Sequence, residues 1–131
     1  MLKVGEMDAL LNEFQLQTLA YGLGVRTCLP AGLLNVGHAA VLVLPFIPSL
    51  CALADYDGVE TTILPARQPE VTAMLDVLYD AGIVYNDRTG YNFLVHEPTQ
   101  ELYLLDFEHA ELAPQPIPAS DRAYSYNPDF F

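Results

Sequence analysis

Three residues in the second half of the chain have side chains suited to phosphate and metal chemistry: Asp87, Asn92 and Asp106. Asp87 and Asn92 stand five apart in the polar stretch Tyr85-Asn86-Asp87-Arg88-Thr89-Gly90-Tyr91-Asn92, and Asp106 ends the apolar run Leu102 to Leu105. Phosphoryl transfer needs little covalent help. It needs an acceptor held in line, a group to orient or deprotonate it, and metal ions to offset charge on the phosphates. One carboxylate can serve the acceptor. An amide oxygen and a second carboxylate can hold Mg2+, a hard cation that prefers oxygen ligands. A loop folding back between Asp87 and Asn92, followed by a hairpin, would return Asp106 to the same end of a sheet. Either loop residue alone reads as a turn former, because Asp and Asn close turns. The joint order, with apolar strands on both sides, carries the chemical reading.

The elements that must position these groups follow from periodicity. Asp8 to Tyr21 reads as a helix, with Leu10, Leu11, Phe14 and Tyr21 on one stripe, Leu19 near its edge, and Gly22 and Gly24 as stop signals. Leu33 to Val36 and Ala39 to Leu44 flank Gly37-His38 and read as a hairpin whose second strand is nearly all apolar. Pro45-Phe46-Ile47-Pro48 ends it, since proline removes ladder donors. Residues 52 to 68 carry turn signals at Asp55 to Gly58 and a break at Pro65. Pro69 to Asp80 is the clearest helix. Proline suits its first turn, and Val71, Met74, Leu75, Leu78 and Tyr79 form one apolar face. Phe93 to Val95 and Leu102 to Leu105 form a second hairpin. The expected division is a domain over residues 1–112 and a proline- and aromatic-rich tail over 113–131, extended and partly docked by its aromatics.

Composition narrows the classes of function. The 131 residues are 52% hydrophobic, enough for a core in one domain. Seventeen acids against five bases give a net charge of -12, with Lys3 the only lysine. That balance disfavours nucleic acid and anionic membrane surfaces as partners. Cys28 and Cys51 are not arranged for zinc or redox work, and His38, His96 and His109 have no partner at ligand spacing. No apolar run approaches the roughly 20 residues of a membrane span, and no leader pattern opens the chain, so a soluble cytoplasmic protein is expected.

The segment from Gly82 to Ala110 resembles the catalytic loop and metal-binding segment of the protein-kinase-like superfamily, which includes the aminoglycoside and choline kinase-like phosphotransferases. There the loop reads His-x-Asp, four residues, then Asn. Here Asp87 and Asn92 match, and Tyr85 replaces the histidine. Asp106-Phe107-Glu108 is similar to the family's Asp-Phe-Gly in its divergent forms. Thr89 stands where relatives carry lysine or histidine. The resemblance implies Asp87 as catalytic base, Asn92 and Asp106 as Mg2+ ligands, and ATP as nucleotide. More weakly, it makes Asp8 to Tyr21 the small-lobe helix, with Glu13 its ion-pair residue, and Pro45 to Leu50 the hinge, with Phe46 and Ile47 against the base. On residue type alone Glu13 reads as a solvated helix acid. Lys3 precedes the first helix, and the strand carrying a phosphate-clamping lysine is expected to fall before Met1.

The resemblance therefore implies an α+β fold, a truncated protein-kinase-like domain of small antiparallel hairpins packed on two main helices. The expected function is a degenerate, pseudokinase-like nucleotide and Mg2+ site with little phosphotransferase activity of its own. Two alternatives stand beside it. One is an ATP-dependent phosphotransferase completed by missing segments, a protein partner or a homodimer. The other is an acidic interaction module for a basic partner.

Overall fold

The computed structural model describes residues 1–53, 67–88 and 91–124. Strand β1 (Leu2–Gly5) leads into helix α1 (Met7–Gly22). Strands β2 (Gly32–Asn35) and β3 (Ala40–Val43) follow, and β3 pairs antiparallel with both β1 and β2. The predicted hairpin is therefore present. Gly37 turns it at φ 93°, a left-handed conformation that glycine adopts freely, and its N–H donates to Asn35 Oδ1. The signals read between residues 54 and 66, and those at Thr89, Tyr126, Phe130 and Phe131, lie outside the described residues.

A second sheet is built from β4 (Leu50–Ala52), β6 (Phe93–His96) and β7 (Glu101–Leu104), in the order β4-β6-β7. Helix α2 (Gln68–Asp80) buries Val71, Leu75, Leu78 and Tyr79, the face its sequence announces, with Met74 partly buried beside them. Phe93, Val95, Leu102 and Leu104 meet that face, since alternate residues of a strand share a side. Each fully buried side chain of this size is worth about 1.5–3 kcal/mol relative to exposure. Strand β5 (Ile83–Val84) pairs antiparallel with β8 (Glu111–Leu112). The architecture is α+β: among the described residues, two main helices with small antiparallel sheets. Among the described residues no helix is long and apolar enough to cross a membrane.

Helix α1 buries a different face from the expected one. Leu10 is inside and Phe14 packs beside it, but Leu11, Leu19 and Tyr21 are 38%, 40% and 49% exposed. The interior positions are Leu10, Glu13, Leu16, Gln17 and Ala20. Two of them are polar because α1 borders a polar cleft as well as the core. The helix ends in a Schellman motif: Val25 N–H bonds Ala20 O at 3.1 Å and Gly24 N–H bonds Tyr21 O at 3.1 Å, with Gly24 at φ 93°.

The chain beyond β8 returns over α2. Ala113 N–H bonds Gly82 O at 2.7 Å and Ile117 N–H bonds Tyr79 O at 3.0 Å. Gly82 has φ 81°, and a Cβ there would lie 2.9 Å from Ala113 O, so the crossing needs glycine. Arg122 grips Asp76 and Asp80 at 2.9 and 2.7 Å, and Tyr124 packs edge-on against Tyr79 at 5.9 Å.

Candidate functional site

Strand β5 runs into Tyr85, which anchors the polar loop. Tyr85 is 1% exposed, and its ring meets Phe107 edge-on at 5.3 Å. Its hydroxyl donates to Leu105 O at 2.5 Å. The residue two before Asp87 is thus tied to the residue just before Asp106. Burial raises the Tyr85 pKa well above the phenol range, and the charges of Asp106, Asp87 and Glu13 push it further, so the group stays a neutral donor. Asn86 Nδ2 adds a second tie to His109 O at 2.8 Å.

Asn92 closes the loop. Its Nδ2 donates to Asp87 O at 3.0 Å and to Asp87 Oδ2 at 2.9 Å. Its backbone carbonyl accepts from Leu105 N–H at 3.0 Å, which sets Asp106 one residue away. Asp106 has φ 62°, a left-handed conformation that Asp tolerates better than most residues, and its Oδ1 accepts from Glu108 N–H at 3.3 Å. Such backbone strain gathers at functional sites. The structure brings Asp87, Asn92 and Asp106 to one end of β6 and β7.

The N-terminal strand corrects the sequence reading. Lys3 lies on β1, and its ammonium reaches Glu13 Oε2 at 3.0 Å, Asp106 Oδ1 at 3.1 Å and Glu108 Oε2 at 3.4 Å. A lysine paired with the Glu13 carboxylate therefore stands within the chain, on a strand that the sequence reading did not mark. Glu13 is accordingly no solvated acid but 1% exposed and paired. Burial pulls the Lys3 pKa down, but the Glu13 hydrogen bond and the charges of Asp106 and Glu13 outweigh it, leaving a net rise. Burial pushes the Glu13 carboxyl up, and the bond and charge of Lys3 offset only part of that. Glu13 Oε1 is also buried without a partner among the described residues, which adds to the strain on the carboxylate.

These groups wall a cavity of about 380 Å3 between the two sheets, with Lys3, Glu13, Asn92 and Asp106 at its polar end. Met1, Cys28, Leu94 and Leu105 are shared with an apolar slot of about 260 Å3 beneath Pro45, Phe46 and Ile47. Phe46 is 75% exposed, so only part of its ring faces the slot. A cleft with an apolar slot and a few convergent polar groups is the usual form of a small-molecule site. Among the described residues no group of three or more His, Cys, Asp and Glu forms a metal cage. One or two carboxylates plus phosphate oxygens suffice for Mg2+, which keeps several waters, so Asp106 with Asn92 Oδ1 fits that ion.

A cleft between two small sheets, with a lysine, glutamate and aspartate gathered at its polar end, sits in a kinase-like fold. The solved structure of the Cydia pomonella granulovirus kinase PK-1 is similar, with TM-score 0.65 and 15% identity, over 86% of this chain and 43% of that one. The chain therefore spans less than half of that kinase. No protein-family model and no curated protein matches it.

Of the residues expected from sequence, Asn92, Asp106 and Glu13 line one cavity, Asp87 is held to Asn92 without lining it, and Phe46 and Ile47 border the adjoining slot. Lys3, Gln17 and Tyr85 belong to the site's framework without having been chosen for it. Lys3 had one signal in sequence, as the only lysine in an acidic chain. Gln17 had none, since its Nε2 bonds to Thr27 Oγ1 and Cys28 O depend on the folded loop after α1.

Proposed function

We propose that this chain is a degenerate kinase-like domain that binds ATP with Mg2+ weakly and transfers phosphate poorly by itself. The observation that carries this reading is the Lys3, Glu13 and Asp106 cluster at the polar end of the cleft. Lys3 would neutralise phosphate oxygens, Asp106 and Asn92 would hold Mg2+, and the slot under Phe46 and Ile47 would take the base. Mg2+ would supply charge neutralisation between the phosphates. Weakness follows from charge. The chain carries -12, its one lysine already meets three carboxylates, and residues 1–131 contain no glycine-rich phosphate loop. Transfer is expected to be poor because Asp87 uses one carboxyl oxygen on Asn92 and buries the other.

Isothermal titration with ATP and Mg2+ tests this, with a Kd on the order of 0.1–1 mM expected. A submicromolar Kd, or no heat at all at several millimolar ATP, overturns it. A second reading is an active phosphotransferase completed by segments outside residues 1–131 or by a partner chain. The Lys3–Glu13 pair favours it. Asp87→Asn should then abolish turnover of the completed enzyme, and unchanged turnover would remove Asp87 from that role.

A further inference from the structure

Among the described residues, nothing pairs with the outer edge of β1 in the first sheet, and one face of that sheet carries exposed aliphatic side chains. Met1 and Leu44 exchange both backbone bonds, at 3.0 and 2.9 Å, and Leu2 lies opposite Val43. Antiparallel pairing alternates, so Lys3 and Gly5 also bond to β3, while the N–H and C=O groups of Leu2 and Val4 point to the outer edge of β1. The side chains of Leu2 and Val4 are 67% and 69% exposed. Register puts them on one face with Val41, Val43 and Leu34, the last 54% exposed, whereas Ala40 and Leu42 on the other face pack against Leu10. An open edge beside an aliphatic face is a template for strand addition. Edges are commonly guarded by lysine, but Lys3, the one charged residue on β1, is drawn inward to Glu13, Asp106 and Glu108. The opposite edge, β2, follows Pro30 and carries Gly32 and Asn35, residues poor in strands.

The surroundings define the occupant. On the inner face, a recess of about 250 Å3 beside β1 is lined by Glu6, Glu13 and Glu108, with Lys3 the only cation. A second copy of the chain would bring another -12 and no uncommitted lysine. We propose that the outer edge of β1 accepts an extended segment of a separate polypeptide that alternates aliphatic and basic residues. Its aliphatic residues extend the Leu2 and Val4 face, its basic residues meet Glu6 and Glu108, and its backbone pairs with Leu2 and Val4.

The probe is a capped heptapeptide alternating lysine and valine, with a control in which glutamate replaces lysine. Amide hydrogen exchange is followed on the full chain. The lysine peptide should slow exchange at Leu2 and Val4 by about tenfold or more, and the glutamate peptide should not. Val4→Pro removes an edge donor but no bond to β3, so it should abolish binding while the Leu42 amide stays protected. Leu2→Lys keeps the backbone groups and should weaken binding of the lysine peptide, by removing an aliphatic neighbour and adding like charge. Equal protection by both peptides overturns the proposal. So does unchanged binding by both variants, or protection of Leu2 and Val4 without peptide in a chain that sediments as a dimer.

Discussion

Lys3 and Glu13 respond to burial in ways that separate stability from binding. Both pKa values are raised, Lys3 by its partners against desolvation and Glu13 by desolvation against its partner. A group whose folded pKa lies above its unfolded value contributes stability at low pH and loses it as pH rises through the folded value. The Glu13 contribution should therefore fall from about pH 4.3, the unfolded carboxyl value, upward. The stability advantage of Glu13→Gln over the wild type should grow across that window in urea titrations. Lys3→Met, by contrast, leaves a buried carboxylate unpaired and should lower stability by about 2 kcal/mol, with the double variant recovering most of it. Tyr85→Phe should lower stability by about 1–2 kcal/mol and weaken Mg2+-dependent nucleotide binding, because it cuts the tie between the Asp87 loop and Leu105. Asp87, Asn92 and Asp106 could be found in sequence because their order is local. The Lys3–Asp106 contact joins residues 103 apart and had no local trace.

Among the elements, α2 was readable and α1 was half misread. The buried face of helix α2 meets only apolar core, so hydrophobic spacing describes that face fully. Helix α1 faces core on one side and the cleft on the other, so its interior includes Glu13 and Gln17 while Leu19 and Tyr21 look outward. Leu16→Ala should lower stability by about 2–5 kcal/mol, whereas Leu19→Lys should stay within about 0.5 kcal/mol, measured by chemical denaturation. Strands β5 and β8 are two residues long and cannot display a period, and β1, as long as β2 and β3, lacks the turn that marks those two as a hairpin.

At the scale of the molecule, the segment after β8 acts as a strap on α2. The Tyr124 hydroxyl and the Arg122 guanidinium hold the Asp76 carboxyl below the usual carboxylate range. A depressed carboxylate stabilises above its unfolded pKa, about 3.9, and loses that contribution as pH falls through the lower folded value. Residues 117–124 should stay docked at neutral pH and loosen in stronger acid, followed by the NMR shifts of Tyr124. Arg122→Ala should loosen them at every pH.

The ammonium of Lys3 is divided among three acidic neighbours. A divalent ion landing on Asp106 would take one of them over and leave the amine freer to meet an incoming phosphate. On the proposed function, metal and nucleotide should then recruit each other. Any factor by which Mg2+ improves ATP affinity must equal the factor by which ATP improves Mg2+ affinity. Lys3→Met should shrink both factors together in paired titrations.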